Sequence, residues 1–263
     1  MDDVIINTDV IRGLQDLPDN AFDLVIADPP YGIKKDYGVQ DSFSTIEEWV
    51  AWSRLWLSEC KRVCCPSGAI VVYGIHHYLC YLQVELYALG MNYVRQLIWH
   101  YDNGFCGHTR LPRATYEPLL WFSKGPKYFF NPIREPYKSQ ERLKYKIIKN
   151  GKVWRPNPDG RIMGDVWYIP TLAGRRFKSE KVDHPSQKPL QICDRLINHL
   201  CRPGGRILIP FVGSGSECVS AFLNGRRFVG FELNAKYCEL ATNRLETAGW
   251  KRPSLHQVRG KVA

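Results

Sequence analysis

Hydrophobic residues along the chain follow two alternating patterns. The first is a set of short apolar runs bounded by Asp, Gly and Pro, typical of buried parallel strands: Leu24–Ala27, Ala69–Tyr73, Arg206–Ile209 and Arg227–Phe231. The second has helical spacing and is found at Ile46–Val63, Leu190–Leu200, Ser216–Leu223 and Asn234–Leu245. Strands that alternate with helices predict an α/β fold with a doubly wound, mostly parallel sheet.

The pattern at Ile46–Val63 has recognisable ends. Ser44 and Thr45 are candidate N-caps, and Pro66-Ser67-Gly68 is expected to end the element. Three tryptophans mostly follow the helical spacing and are interpreted as core or interface residues rather than a platform for stacking: Trp49, Trp52 and Trp56.

The alternation breaks between residues 102 and 181, where a strand-like Pro118–Phe122 precedes a Pro-rich, Lys-rich run. We predict an inserted region at 102–181, with residues 1–101 and 182–263 forming one domain. Residues 124–181 hold 15 Lys and Arg against 5 Asp and Glu, whereas the remainder balances at 21 against 21. Aromatic residues are interleaved with these charges, a combination that suits a polyphosphate partner. The alternative is a solvated basic face.

Composition and cysteine spacing narrow the possible classes of protein. With 263 residues, of which 44% are hydrophobic and 24% charged, the chain is expected to be a soluble globular protein. No apolar run approaches the ~20 residues that span a bilayer, and the first residues lack a signal-peptide pattern, so a cytoplasmic protein without a membrane partner is expected. The nine cysteines show no zinc-site spacing, and His76-His77 has no third ligand at metal spacing, so no metal is expected.

The tetrapeptide Asp28-Pro29-Pro30-Tyr31 directly follows the first apolar run. That position is the carboxyl end of a strand, where open α/β sheets bind ligands. Two consecutive prolines donate no hydrogen bonds and fix the backbone, so the Pro29 carbonyl can face outward beside the Asp28 carboxylate. Two acceptors beside a flat ring suit an exocyclic amine on a planar base. The alternative is a plain structural turn.

A second site begins at Phe211-Val212-Gly213-Ser214-Gly215, between an apolar run and a helical pattern. Glycine allows close approach of the backbone to a nucleoside cofactor, and the start of the helix favours a carboxylate. Glu232 ends the next apolar run, where an acid can bind both ribose hydroxyls. The third glycine of the dinucleotide fingerprint is replaced by Cys218, which argues against NAD or FAD.

These two sites, in this order, resemble the amino-methyltransferases of DNA in their circularly permuted, or beta, arrangement. In that family a D-P-P-Y motif precedes a target-recognition region, and the cofactor motifs come last. Asn7-Thr8-Asp9 resembles the segment whose acid bonds the cofactor adenine, and residues 184–189 resemble the H-P-T-Q-K-P segment. The resemblance covers nearly the whole chain. It implies a seven-stranded sheet, S-adenosylmethionine as cofactor, double-stranded DNA as partner and, since relatives are often dimers, a homodimer.

The resemblance also assigns roles to residues. Within the catalytic tetrapeptide, which includes Pro30, Asp28 and the Pro29 carbonyl would hold the target amine, most consistently N6 of adenine. Tyr31 would stack on the extruded base. Residues 33–45 would be a mobile loop that closes over DNA. The expected cofactor-binding residues are Asp9, Val10, Asp28, His184, Lys188, Phe211, Gly213, Ser214, Gly215, Ser216 and Glu232. Candidates for DNA contacts are Arg110, Arg113, Arg175, Arg176 and Lys178.

Two departures from the family pattern leave alternatives open. Ile209 stands where an Asp is common, and Ser216-Glu217 replaces paired threonines. If the missing carboxylate at 209 weakens cofactor binding, the chain would be a DNA-binding homologue without activity. N4 of cytosine is the alternative target, since it presents the same two hydrogens. A C5-cytosine methyltransferase and a zinc deaminase are disfavoured, because the chain has neither a Pro-Cys dipeptide nor the H-x-E and P-C-x-x-C pair.

Overall fold

A computed structural model describes residues 3–31, 43–104 and 110–252. The described strands are β1 (Val4–Asn7), β2 (Phe22–Ala27), β3 (Cys64–Tyr73), β4 (Asn92–His100), β5 (Tyr116–Ser123), β6 (Arg134–Glu135), β7 (Ile147–Lys149), β8 (Lys152–Trp154), β9 (Arg161–Ile162), β10 (Val166–Tyr168), β11 (Arg206–Ile209) and β12 (Arg227–Glu232). The helices are α1 (Val10–Gln15), α2 (Ile46–Val63), α3 (Leu79–Ala88), α4 (Leu190–Leu200), α5 (Ser216–Leu223) and α6 (Ala235–Thr247). Of the expected loop 33–45, residues 33–42 lie outside the described residues.

The main sheet has the order β1-β12-β11-β2-β3-β5-β4-β10, and within it only β5 runs antiparallel to its neighbours. The predicted doubly wound α/β fold is confirmed, but the sheet has eight strands rather than seven. The eighth is β10, which pairs in parallel with β4 at the edge of the sheet. Trp167 explains this position, because its side chain is buried between exposed neighbours and needs the sheet to cover it.

Helices cover both faces of the sheet. On one face α1, α2 and α3 pack through a cluster that includes Leu14, Trp56 and Leu82. On the other, α4, α5 and α6 pack through a cluster that includes Leu196 and Leu245. The strands are thus buried on both sides, which is why they are continuous apolar runs in the sequence. Among the described residues, no helix combines the length and apolar character needed to cross a bilayer.

Helix α2 has the predicted bounds. The Thr45 hydroxyl accepts a hydrogen bond from the Glu48 N–H (3.2 Å), and the Glu48 carboxylate accepts one from the Ser44 N–H (2.8 Å). Pro66-Ser67-Gly68, which was expected to end the helix, lies instead within β3, because this strand starts at Cys64, directly after the helix. A side chain at Gly68 would collide with Cys64 and Asp23, so glycine allows the new strand to lie close to β2.

The predicted inserted region is not uniform. Strands β5 and β10, both within 102–181, belong to the main sheet. Residues 124–165, which we call the basic lobe, form two small antiparallel pairs, β6 with β9 and β7 with β8, and a short 3-10 helix at Gln140–Lys144. The lobe therefore begins after β5 and ends where β10 rejoins the sheet.

A candidate active site at the carboxyl edge of the sheet

Parallel strands end together at one edge of the sheet, and a cavity lies there. It is formed by residues that follow β1, β2, β11 and β12, and by residues of the 184–188 segment. Most of the sequence-predicted site residues line it: Asp9, Val10, Asp28, Pro29, Pro30, Tyr31, His184, Lys188, Phe211, Gly213, Ser214 and Glu232. The strand order explains this, because β11 and β12 insert between β1 and β2 and so bring the two ends of the chain together.

Gly215 and Ser216 are behind the cavity wall rather than in it. A side chain at Gly215 would collide with Ala241, so this glycine allows α6 to approach α5. The Ser216 hydroxyl is buried and donates a hydrogen bond to the Lys188 carbonyl (2.7 Å). Both residues therefore support the site from outside the cavity.

The Asp28 carboxylate is held by two buried groups. Its Oδ2 atom lies 2.9 Å from the Lys188 ammonium, and its Oδ1 atom accepts a hydrogen bond from the Tyr31 hydroxyl. The Lys188 side chain is 4% exposed and Tyr31 is 7% exposed. Burial, followed by the negative charge of Asp28, raises the pKa of Tyr31 well above its ordinary value. The tyrosine is thus a neutral donor to Asp28.

Lys188 contacts a second carboxylate, Glu117 of β5, at 3.4 Å. Burial alone would lower the pKa of the Lys188 ammonium, but Asp28 and Glu117 outweigh it and raise this pKa well above its ordinary value. Lys188 therefore remains charged inside the protein. Sequence reasoning placed Lys188 among the cofactor-binding residues and missed Glu117, because β5 and residue 188 are distant along the chain.

The tetrapeptide is also fixed from the helical side. The indole N–H of Trp49, in α2, donates a hydrogen bond of 2.8 Å to the Pro30 carbonyl. Trp49 is buried, as the interpretation as a core residue expected, but it also orients the candidate catalytic segment. Helical spacing does not reveal this second role of Trp49, because it depends on a contact with a residue 19 positions earlier in the sequence.

The glycine-rich turn is tied to Glu232. Gly213 and Gly215 both have positive φ, of 50° and 81°, a conformation that favours glycine. The Gly213 N–H donates to Glu232 Oε2 (2.7 Å), and the Asn234 N–H donates to Glu232 Oε1 (2.8 Å). A side chain at Gly213 would also press on the His184 ring, at 3.0 Å. Glu232 thus shapes the turn as well as facing the cavity.

Aromatic rings form one wall of the cavity. Trp52 and Phe211 both line it, with ring centroids 5.8 Å apart, and Trp56 supports Phe211 from behind at 5.2 Å. Asp9 also lines the cavity, and it caps α1 by accepting hydrogen bonds from the Ile11 and Arg12 N–H groups. A flat apolar wall and an acidic rim suit a nucleoside. Trp52 was not predicted as a site residue.

The two departures from the family pattern lie in different environments. Ile209 is 1% exposed, belongs to the hydrophobic core, and does not line the cavity. Glu217, at the start of α5, is 4% exposed and lines it. Burial, and then the negative charge of Asp28, raises the pKa of Glu217 to about 7. The cavity therefore contains a carboxyl group at position 217. The sequence alone showed this position only as one where the family's threonine is replaced.

The five predicted DNA-contact residues are all exposed. Within the described ranges, none of them forms an ion pair, and the Arg176 guanidinium lies 4.7 Å above the Phe177 ring. A further exposed feature is the hairpin of β7 and β8, whose turn Asn150-Gly151 has positive φ at both positions, as type I′ turns require. Its exposed apolar residues are Ile147, Ile148, Val153 and Trp154. The Asn-Gly dipeptide was the signal that could have revealed this hairpin.

A doubly wound sheet with a glycine turn, and an acid on the next strand, defines the class of α/β enzymes that bind a nucleoside cofactor at the carboxyl edge. Comparison with known proteins specifies the family: the model described as DNA methylase of the N6 and N4 type matches residues 22–243. The chain belongs to this DNA methylase family, which confirms the resemblance inferred from the motifs.

Individual relatives agree with this assignment. The chain is 33% identical over 252 residues to the type II methyltransferase M.HpaI of Haemophilus parainfluenzae, covering 94% of this chain and 75% of the relative. The structure of the M1.HpyAVI–SAM complex superposes with a TM-score of 0.63 at 21% identity, over 92% of this chain and 98% of the other. The cytosine-N4-specific PvuII DNA methyltransferase superposes with a TM-score of 0.68 at 16% identity, over 98% and 90%.

Proposed function

We propose that the protein transfers the methyl group of S-adenosylmethionine to the exocyclic N6 amine of adenine in double-stranded DNA, at a specific sequence and after base flipping. Membership of the DNA methylase family makes it a methyltransferase of DNA, with S-adenosylmethionine as its cofactor. The observation that carries the finer proposal is that Asp28-Pro29-Pro30-Tyr31 and the glycine turn with Glu232 line one cavity.

The residues of the cavity fit the cofactor. Glu232 and Asp9 offer acceptors for hydroxyl and amino groups, and the wall of Trp52 and Phe211 offers a face for a purine. The first turn of α5 has N–H groups that favour a carboxylate. S-adenosylmethionine supplies a methyl group on a positively charged sulfur, which an incoming amine can attack directly.

Asp28 and the Pro29 carbonyl accept the two hydrogens of the target amine in this proposal. The amine lone pair is delocalised into the base, and two acceptors favour a nitrogen that points its lone pair at the methyl group. The Lys188 ammonium lies 2.9 Å from Asp28 Oδ2 and holds this carboxylate in place. The Tyr31 hydroxyl now occupies Asp28 Oδ1, so the amine has to displace it, and the freed ring can then stack on the base.

DNA is bound, in this proposal, by the basic lobe and by the exposed cations that flank it. The lobe contains 11 Lys and Arg against 4 Asp and Glu. At the tip of its hairpin Lys149 lies directly opposite Lys152, a pairing of like charges that costs stability unless an anion neutralises it. Phosphates of duplex DNA provide such anions, and Trp154 on the same face offers a ring to sugars or bases.

Adenine is proposed rather than cytosine because the tetrapeptide begins with Asp, whereas Ser is the commoner first residue for N4-cytosine targets in the family the sequence resembles. The fold does not separate the two, since the PvuII enzyme is cytosine-N4-specific and shares it. A DNA-binding homologue without activity was the other alternative. The position of Ile209 argues against an inactive homologue. Ile209 is buried and does not line the cavity, so the cavity has not lost a carboxylate at this position.

The test is to incubate the purified protein with methyl-labelled S-adenosylmethionine and unmethylated bacterial DNA, digest the DNA, and identify the labelled nucleoside. We expect N6-methyladenosine in its deoxy form. Labelled N4-methylcytosine would support the same mechanism with cytosine, rather than adenine, as the target base. DNA binding without any label, from a protein that is folded by circular dichroism, would favour the inactive homologue.

A further inference from the structure

Buried charges at the inner end of the cavity do not balance. Lys188 contacts two carboxylates, Asp28 and Glu117, and a third carboxyl group, Glu217, lies beside them. A second cation, Arg244, lies near Glu217 without contacting it. Within the described residues, Glu217 has no cation within 4 Å, and its partners are the Cys193 thiol at 3.6 Å and its own backbone N–H. Burying a carboxylate without a counter-charge is costly. A positively charged ligand beside Glu217 would therefore be stabilised.

Each element packed around Glu217 contributes titratable or charged groups. They are Asp28 after β2, Tyr73 of β3, Lys188 before α4, Cys193 of α4 and Arg244 of α6. The Arg244 guanidinium donates to the Ser214 carbonyl (2.6 Å) and the Ser216 hydroxyl (3.1 Å) rather than to Glu217. Tyr73 is a neutral phenol, because burial raises its pKa well above the ordinary value. The neighbours thus leave Glu217 without direct neutralisation.

We infer that Glu217 is the residue that binds the α-ammonium group of S-adenosylmethionine. The inference rests on the proposed cofactor site and deepens it. In an amino acid the ammonium and carboxylate groups share one carbon atom. The first turn of α5 suits the carboxylate, and Glu217 is the second residue of that helix, so a ligand whose carboxylate binds there has its ammonium near Glu217.

Of the two departures from the family pattern, only position 217 lines the cavity. Position 209 faces the hydrophobic core, where isoleucine packs well. Glu217 provides the cavity with a carboxylate from a different element. Because the pKa of Glu217 is about 7 in the free protein, roughly half of the molecules carry a proton there at neutral pH. An ammonium partner favours the ionised form, so cofactor binding should release part of a proton to the buffer.

The test is isothermal titration calorimetry of the full chain and Glu217→Gln at pH 8, with three ligands. S-adenosylmethionine has both the ammonium and the sulfonium, S-adenosylhomocysteine has only the ammonium, and 5′-methylthioadenosine has neither. We expect Glu217→Gln to weaken the first two about 10-fold and the third less than about 2-fold. Glu217→Asp should recover part of the loss, because it restores the charge.

Other outcomes would overturn the inference in distinguishable ways. Unchanged affinity for all ligands would remove Glu217 from the site, and equal weakening of all three would show a structural role. Loss for S-adenosylmethionine alone would assign the sulfonium instead. Glu85→Gln is the matched control and should leave all three affinities unchanged, because Glu85 is a buried acid of α3 that is already paired with Arg54 of α2. If the unmutated protein binds none of the ligands, the proposed cofactor site itself fails.

Proton release provides a second readout that does not depend on the variant's stability. At pH 7 the binding enthalpy of S-adenosylhomocysteine should change with the ionisation enthalpy of the buffer for the unmutated chain. The dependence should disappear in Glu217→Gln. A buffer-independent enthalpy in the unmutated chain would contradict the inference, whereas the proposed methyltransferase activity would be unaffected by that result.

Discussion

The cavity and the basic lobe of this protein are built in opposite ways. Most of the cavity lining follows the carboxyl ends of strands of the main sheet, and its central lysine is 4% exposed and contacts two carboxylates. The lobe has short two-stranded pairs, and the apolar residues of its hairpin are 47–64% exposed. The cavity thus presents side chains that are fixed by buried contacts, while the lobe presents an open surface to a partner that completes its contacts.

The largest effect is expected inside the cavity, from Asp28→Ala. Removing the acceptor for the target amine should reduce the single-turnover rate of methyl transfer by about 10³-fold. Duplex DNA affinity should stay within about 2-fold, because the lobe is untouched. Rapid-quench measurements with labelled cofactor give the rate, and filter binding gives the affinity. Full activity in this variant would remove Asp28 from the mechanism.

Lys188→Met should replace two stabilising ion pairs at the cavity with repulsion between Asp28 and Glu117. It leaves Asp28 and Glu117 buried without their cation, so the free energy of unfolding should fall by about 3–5 kcal/mol. Urea denaturation at pH 7.5 measures it. Lys178→Met, an exposed lysine, is the control and should change stability by less than about 0.5 kcal/mol. Equal effects from the two variants would show that the buried ion pairs do not stabilise the cavity.

Ile209→Asp tests whether position 209 contributes to cofactor binding or only to the hydrophobic core. If the position contributed to cofactor binding, restoring the family's aspartate would tighten binding. Since Ile209 is in the core, we expect no tightening and a loss of about 3 kcal/mol in stability from an unpaired buried carboxylate. Ile209→Val, which retains an apolar side chain, should cost about 1 kcal/mol. A lower dissociation constant for S-adenosylmethionine in the aspartate variant would contradict this placement.

The smallest effect is expected in the lobe, from the double variant Lys149→Gln with Lys152→Gln. Loss of two phosphate contacts should weaken DNA binding several-fold and reduce the slope of log affinity against log salt by about 2. Stability should rise slightly or stay constant, because the like-charged pair is removed. Fluorescence anisotropy across a salt series measures the slope. An unchanged slope would exclude the hairpin tip from the DNA surface.

The sequence predicted the cavity better than the lobe for a physical reason. Strand β11 and helices α2, α4 and α5 have the expected bounds, since burial on both faces and amphipathic spacing leave strong patterns. Strand β1 has only four residues, half-exposed for the most part, and β4 alternates weakly, so neither was predicted. The lobe lacks a continuous core, and its short strands are defined by pairing partners rather than by local periodicity.

Within the site, residue identity was predictable where a local motif carries it, as for Asp28 and Glu232. The contacts that orient those residues were not. Trp49 to Pro30, Glu117 to Lys188 and the core position of Ile209 all depend on three-dimensional packing. Glu217 was visible as a departure from the family pattern, but its meaning depended on which side of α5 faces the cavity.

The most direct measurement is a crystal structure with bound S-adenosylhomocysteine. We expect the ribose at Glu232, the adenine beside the Phe211 wall, and the sulfur directed towards Asp28. A ligand bound outside this cavity, or one whose sulfur points away from Asp28, would contradict the central claim that cofactor and target amine share one cavity.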